Sequence, residues 1–412
     1  MHIVFISDHE TSGGAAIAAS RLAEGLLAAG QRVTRIVAFP AVGPQPWATV
    51  RLAPRLFLAR RATRSRLAPG PREQLDATAQ PAIERELARL LADLRPEIVH
   101  LHNLHGGTGA GWSPALARVA SQAAPTVWTL HDMWSFTGRC VYSGDCRRFL
   151  VGCDADCPTA GEYPALAPQR VAPAYADRRQ LLNDSARLTA ITPSRWLADE
   201  ARSGLWRDRR VAVIPNGIDL GVYRPHAQAA ARQALGLPLD LPVVLVVSPD
   251  LNDKRKGGHM LRAMLPALRR AVNLVTVGAG VLAPPPAPAR LLSLGYLADD
   301  AQKALAYSAA DLLLHPAPQD NLPNVVLEAL ACGTPVVALA SGGLPELVRP
   351  GRTGWLADEL SAVGLLQALE TALDAIAAGQ SLRASCRAVA EAEYGLARFT
   401  DRHIGLYREL IV

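Results

Sequence analysis

At 412 residues the chain is too long for one ordinary domain, and half of its residues are apolar, enough for two sizeable cores. No apolar run approaches the ~18 residues of a membrane span. The opening residues 1–6, MHIVFI, carry no basic leader, so they read as a first strand in a protein expected to be cytoplasmic. A formal net charge of +6 is too small to point to nucleic acid.

Residues 1–7 read as a strand, followed by the loop Asp8–Gly14 and an Ala/Leu-rich helix to about Ala29, with Gly30 as its C-cap. Gln31–Phe39 is the next strand. Gly13-Gly14 between a first strand and a first helix lets the backbone approach a ligand closely. The pattern is not GxGxxG, so a dinucleotide fingerprint is unsupported, and a plain tight turn is the alternative.

Residues 40–80 read as irregular. Within them, Arg51 to Arg72 holds seven arginines and no acidic residue, interleaved with Leu52, Leu56, Phe57, Leu58 and Leu67. Such a stretch suits either an anionic membrane surface or a solvated face. A helix over 82–94 leads into the strand 98–102 and a loop with His105-Gly106-Gly107. After a helix near 114–123 and a strand over 126–130, His131-Asp132 stands at a strand's carboxyl end. In a doubly wound domain that position faces the ligand crevice, although a buried structural histidine is the plain alternative.

Four of the six cysteines, Cys140, Cys146, Cys153 and Cys157, follow within eighteen residues. In a chain read as intracellular, clustered thiols suggest a structural zinc, with packed reduced thiols or a redox-labile pair as competitors. A polar helix over 174–184, a strand over 188–192 and a helix over 195–203 capped by Ser194 complete this half. The strand from Val211 runs into the turn IPNGID at 214–219, where a domain boundary is placed.

The second half opens on the apolar strand 242–247 and the loop Asp250–Gly258, followed by a helix to about Arg270. Lysine occurs only at 254, 256 and 303, so two lysines in the window Lys254-Arg255-Lys256 stand out. Three cations and two glycines before a helix make an anion site, with a solvated basic turn as the alternative. A strand over 274–277 and a short strand near 292 follow. Then Asp311–Leu314 reads as a buried parallel strand, Asn324–Cys332 as a helix, Val336–Ala338 as a strand, and Pro345 as the start of another helix. This alternation is that of a doubly wound α/β fold. Asp320 and Glu328, eight residues apart, can face one crevice. Helices from about Ser361 and a last helix over about 396–410 close the chain.

The order of these segments resembles the family 4 glycosyltransferases. The segments are Gly13-Gly14, His131 after Trp128-Thr129-Leu130, IPNGID at 214–219, Lys256-Gly257, and PNVVLEALACGTPVVA with Gly342-Gly343 behind it. LHDMWSFTGRC with its cysteines resembles the branch serving bacterial exopolysaccharide and colanic-acid-type biosynthesis. The resemblance implies a GT-B fold, two Rossmann-like domains facing across a cleft. Residues 1–218 would bind the acceptor and 219–389 the nucleotide sugar, with the helical 390–412 packing back on the first. It implies a retaining, metal-independent hexosyl transfer from a nucleotide-diphosphate sugar to a saccharide or lipid-linked acceptor, with no catalytic cofactor, at or near the inner face of the membrane.

By the same resemblance, Glu328 would hold the donor ribose and Asp320 the transferred sugar. Lys256, with Lys254 and Arg255 beside it, would bind the diphosphate. Asn321, Leu322, Asn324, Gly342 and Gly343 would line the phosphate cradle, His131 would bond the sugar ring on the acceptor side, and Gly13 and Gly14 would sit close to both ligands. Two positions depart from the family: Asp320 replaces a Glu, and Asp250 stands where an Arg is common. A sugar-nucleotide epimerase of the same fold and a non-catalytic member of a polysaccharide assembly complex are the competing readings.

Overall fold

The computed structural model describes residues 1–53, 67, 69–105, 110 and 112–411. β1 (His2–His9) is a buried apolar run, and α1 (Gly14–Ala28) returns the chain to β2 (Arg32–Phe39), which pairs with β1 in parallel. β3 (Ala48–Arg51) adds an edge strand. α2 (Pro69–Leu94), β4 (Ile98–Leu101), α3 (Ala115–Ala123) and β5 (Thr126–Thr129) follow. Then come α4 (Pro168–Asp184), β6 (Leu188–Thr192), α5 (Arg195–Ser203) and β7 (Val211–Val213). All seven strands form one parallel sheet in the order β3-β2-β1-β4-β5-β6-β7.

The second sheet begins after α6 (Gln228–Ala234) with β8 (Val243–Asp250), α7 (Gly258–Met264), β9 (Asn273–Ala279) and β10 (Arg290–Ser293). α8 (Asp300–Ala309), β11 (Leu312–His315), α9 (Asn324–Ala331), β12 (Val336–Leu339), α10 (Leu344–Leu347) and β13 (Gly354–Ala357) complete it. Its six parallel strands run in the order β10-β9-β8-β11-β12-β13. α11 (Ala362–Ala377), α12 (Arg383–Val389) and α13 (Leu396–Ile411) close the chain. One compact unit is Met1–Pro215 with Phe399–Val412, and the other is Asn216–Arg398. The sequence reading put the boundary at 218 and the returning helix at 390.

The central strands of both sheets are buried, whereas the edge strand β3 is partly exposed. β11 and β12 are buried at every residue, which explains the unbroken Leu and Val runs. In each sheet the strand order reverses beside the first strand: at β1/β4 in one and at β8/β11 in the other. Ligands in such sheets bind outside the carboxyl ends of the strands at that switch point.

Four elements differ from the sequence reading. α2 begins at Pro69 rather than 82, and α4 at Pro168 rather than 174, because Pro81 and Pro173 lie inside their helices. An interior proline removes one backbone hydrogen bond and was read as a helix start. β3 was missed because it is a four-residue, partly exposed edge strand in a stretch read as irregular. Helix α7 stops at Met264, short of Arg270, where Pro266 follows. Most of the arginine-rich stretch 51–72, and Gly106-Gly107, lie outside the described residues. Among those described, no helix is long and apolar enough to cross a membrane.

Candidate functional site

Lys256 and Asp320 come from the two strands flanking the second sheet's switch point. β8 and β11 are paired neighbours. Lys256 ends a 3-10 turn, Lys254–Lys256, whose first N–H groups are capped by Asp253, with Oδ1 accepting from the Arg255 N–H at 2.8 Å. Asp320 lies in the loop after β11. The Lys256 ammonium donates to Asp320 Oδ2 at 2.7 Å, and His315, the last residue of β11, has Nε2 3.7 Å from the same oxygen. Oδ1 accepts from the Asn321 N–H at 2.9 Å. Burial alone would raise the Asp320 carboxyl. The Lys256 charge, then His315, outweigh burial and hold it well below the usual carboxylate range.

Two glycines set this geometry. Gly257 has φ +83°, and a Cβ there would stand 2.1 Å from the Pro316 carbonyl oxygen. Gly342 has φ +61°, and its Cβ would stand 2.1 Å from the Asp320 carbonyl oxygen. The segment 316–320 is thus pressed between two backbones that only glycine lets so close. Gly343 donates its N–H to the Asp320 carbonyl at 2.9 Å. The sequence reading gave that amide to a phosphate cradle; here it holds the carboxylate's own backbone.

Glu328 is buried on α9 and accepts from the Tyr307 hydroxyl at 2.9 Å. Burial first, then the Glu328 charge, pushes Tyr307 well above its ordinary value, so it stays a donor. Tyr307→Phe removes one hydrogen bond from a buried carboxyl group. A loss of about 1–3 kcal/mol of stability is expected, measured by chemical denaturation of the full chain. Asn324 is the first residue of α9, and the Asn216 amide donates to the Leu322 carbonyl at 3.3 Å. Lys254 is exposed, whereas Arg255 turns back to Asp253, with a nitrogen 2.7 Å from Oδ2.

In the other unit, Gly13 (φ +91°) caps α1 and Gly14 opens it. His131 follows β5, with Nε2 3.1 Å from Nδ1 of His102, the residue after β4. Burial, then the neighbouring His105, lowers His131 to about 3, so it is neutral at ordinary pH. His105 in turn lies 3.8 Å from an Asp132 carboxylate oxygen.

The zinc expectation falls on Cys140, Cys146, Cys153 and Cys157, all of them free thiols here. Among the described residues no three His, Cys, Asp or Glu side chains are grouped to hold a metal ion. Cys140 and Cys157 instead share the Arg139 guanidinium, at 3.5 and 4.0 Å, while Cys153 accepts from the Gly138 N–H. Burial raises the Cys153 thiol to about 11 and Cys140 above its ordinary value, so both stay protonated.

Comparison with known proteins settles the family. A family model described as Glycosyltransferase Family 4 matches residues 12–222, and one described as Glycosyl transferases group 1 matches 242–375. The chain belongs to glycosyltransferase family 4. Among relatives of this family, the putative colanic acid biosynthesis glycosyl transferase WcaC of Escherichia coli (strain K12) is 32% identical over 226 residues, 54% of each chain. A D-inositol 3-phosphate glycosyltransferase of Mycobacterium tuberculosis (strain ATCC 25177 / H37Ra) is 33% identical over 332 residues, 76% of this chain and 62% of that protein. The chain therefore spans about half to three-fifths of the curated relatives it matches.

Solved structures share the fold, two of them as follows. Sucrose-phosphate synthase from Thermosynechococcus elongatus superposes with a TM-score of 0.72 at 23% identity, covering 99% of this chain and 98% of that one. Anabaena HepE in complex with UDP-glucose superposes at 0.67 with 18% identity, covering 99% and 100%. With its two parallel-sheet units, this family 4 member has the GT-B fold.

Sequence reasoning missed His315, Tyr307 and His102 as neighbours of the candidate residues. His315 was legible as the polar residue that ends an apolar strand. The pattern His100-Leu101-His102 at a strand end also carried a signal, since period 2 puts both imidazoles on one face. Tyr307 lies on a helix of its own and carried none.

Proposed function

We propose that this chain moves a hexosyl group from a nucleoside-diphosphate sugar to a saccharide or lipid-linked acceptor in surface or exopolysaccharide assembly. Transfer is read as retaining and as needing no metal. The observation that carries this is the Lys256–Asp320 pair at the switch point. One N–H of the ammonium is spent on Asp320 and two remain for a diphosphate. With Lys256 in that place, positive charge meets the leaving diphosphate as its negative charge grows. Asp320, ionised and fixed, faces the positive charge that develops on the sugar. Glu328 takes the donor ribose, and Asn321, Leu322, Asn324 and Gly342 line the phosphate side with Lys254 at its rim. His131 takes the sugar ring on the acceptor side, with Gly13 and Gly14 near it. Retention comes with the family resemblance: same-face attack, with the leaving phosphate accepting the acceptor's proton.

Support for the pathway comes from WcaC, named for colanic acid biosynthesis. The experiment is a thermal-shift panel of nucleoside diphosphates and sugar nucleotides, with UDP-glucose included because HepE was solved with it. A ligand binding only the native state at 100 times its Kd stabilises by about 2.7 kcal/mol. At least one nucleoside diphosphate is expected to raise the melting temperature, and its sugar nucleotide to be turned over only when an acceptor is present. Turnover or epimerisation without acceptor would favour the epimerase reading, and no shift with any member would end the proposal.

A further inference from the structure

The imidazole of His131 does not stand alone in its unit. His102 Nδ1 faces it at 3.1 Å, and the His102 ring is itself fixed. It stacks on His100 with centroids 4.3 Å apart and meets Phe5 at 5.0 Å, while Trp128 Nε1 donates to the His102 carbonyl at 2.9 Å. His100 is held in turn, with Nδ1 2.6 Å from the Tyr407 hydroxyl and Nε2 2.7 Å from Thr129 Oγ1. Tyr407 comes from α13, so the terminal helix anchors a row of rings that ends at His131.

The row also has a direction. Among the described residues, His102 Nε2 is buried and has no hydrogen-bond partner. A proton on that nitrogen would be an orphaned buried N–H, the rarest and costliest kind of unpaired group, whereas a bare ring nitrogen is better tolerated. The proton of His102 therefore sits on Nδ1 and is donated to His131 Nε2. His131 then carries its own proton on Nδ1, because a neutral imidazole holds one proton and the other nitrogen accepts.

We propose that His102 is a positioning residue that fixes His131 as the Nδ1–H tautomer, so that His131 meets the substrate as a hydrogen-bond donor and not as a base. This rests on the reading of His131 as a sugar contact. A donor there suits a sugar hydroxyl or ring oxygen, and the acceptor's proton is left to the leaving phosphate.

The test uses the full chain labelled with ring-15N histidine. The His131 signals are assigned by their loss in His131→Gln. Expected is a protonated Nδ1 and an unprotonated Nε2 on His131. In His102→Leu this pattern should give way to a tautomer average, with kcat about tenfold lower and acceptor KM little changed. In His102→Asn, whose side-chain N–H takes the place of the ring Nδ1–H, both pattern and kcat should return. A protonated Nε2 on native His131, or a His102→Leu chain with native tautomer and native kcat, would overturn the proposal. If His131→Gln transfers sugar at the native rate, the reading of His131 as a sugar contact fails instead, and the tautomer result stands apart from it.

Discussion

Replacing Lys256 with alanine is expected to lower turnover at least ~100-fold while the chain keeps its fold, the scale seen when one preorganised donor is lost at a developing charge. Cleaving the bond between a sugar and a diphosphate puts growing negative charge on the diphosphate, and in the proposed reaction Lys256 would meet it from a turn capped by Asp253. Its approach is fixed by Asp320 on one side and by Gly257 against Pro316 on the other. Lys256→Arg keeps the charge but replaces a compact ammonium by a planar fork, so it should recover only part of the rate. Stability should fall only modestly, because the side chain is 37% exposed and the carboxylate keeps the Asn321 N–H.

The pH dependence of that stability loss separates binding from folding. Asp320 in the native chain is depressed below its unfolded value, so it contributes stability above about pH 4 that is lost as pH falls further. Without Lys256 this contribution shrinks. The gap in melting temperature between native and Lys256→Ala chains should therefore be widest above pH 4 and close in more acidic buffer. Turnover, circular dichroism and the nucleoside-diphosphate shift together decide the case. Unchanged turnover would sink the phosphate assignment.

How much of this was legible in the sequence depended on which force placed each residue. The parallel sheets were legible because burial on both faces writes itself as runs such as Leu312-Leu313-Leu314. The pair of lysines at 254 and 256 stood out because lysine is scarce here and two of three fall together, and their binding of a diphosphate is part of the proposal. Helix starts were not legible, because the chain carries prolines inside α2 and α4 and both helices begin on the N-terminal side of them. The cysteine cluster was legible only as a spacing: a buried arginine and a backbone amide lie against three of the sulfur atoms, and nothing in the spacing announces such partners. His102 lay between these cases. Its strand-end pattern was visible, but its contact with His131 depends on β4 and β5 being neighbours in the sheet.

Gly342→Ala is the second change with a large expected effect, and its partner variant makes it decisive. At φ +61° an alanine pays about 1–2 kcal/mol for the left-handed backbone alone. Its Cβ would also lie 2.1 Å from the Asp320 carbonyl oxygen, which is backbone and cannot rotate aside. The loop must shift, at a further ~1–3 kcal/mol, and a total of about 2–5 kcal/mol lowers the melting temperature of a unit of this size by roughly 4–20 °C. Gly351 has nearly the same conformation, φ +71°, but nothing stands within 4 Å of a Cβ there. Gly351→Ala should therefore show the backbone cost without the clash, and turnover close to native. Gly342→Ala should lose turnover as well, because the atom it strikes belongs to the residue that Lys256 holds. The measurement is a melting curve and a turnover rate for both variants. Equal losses in the two would mean that the close approach of Gly342 does not position Asp320, and that its side-chain partners, Lys256 and Asn321 among them, hold the carboxylate without it.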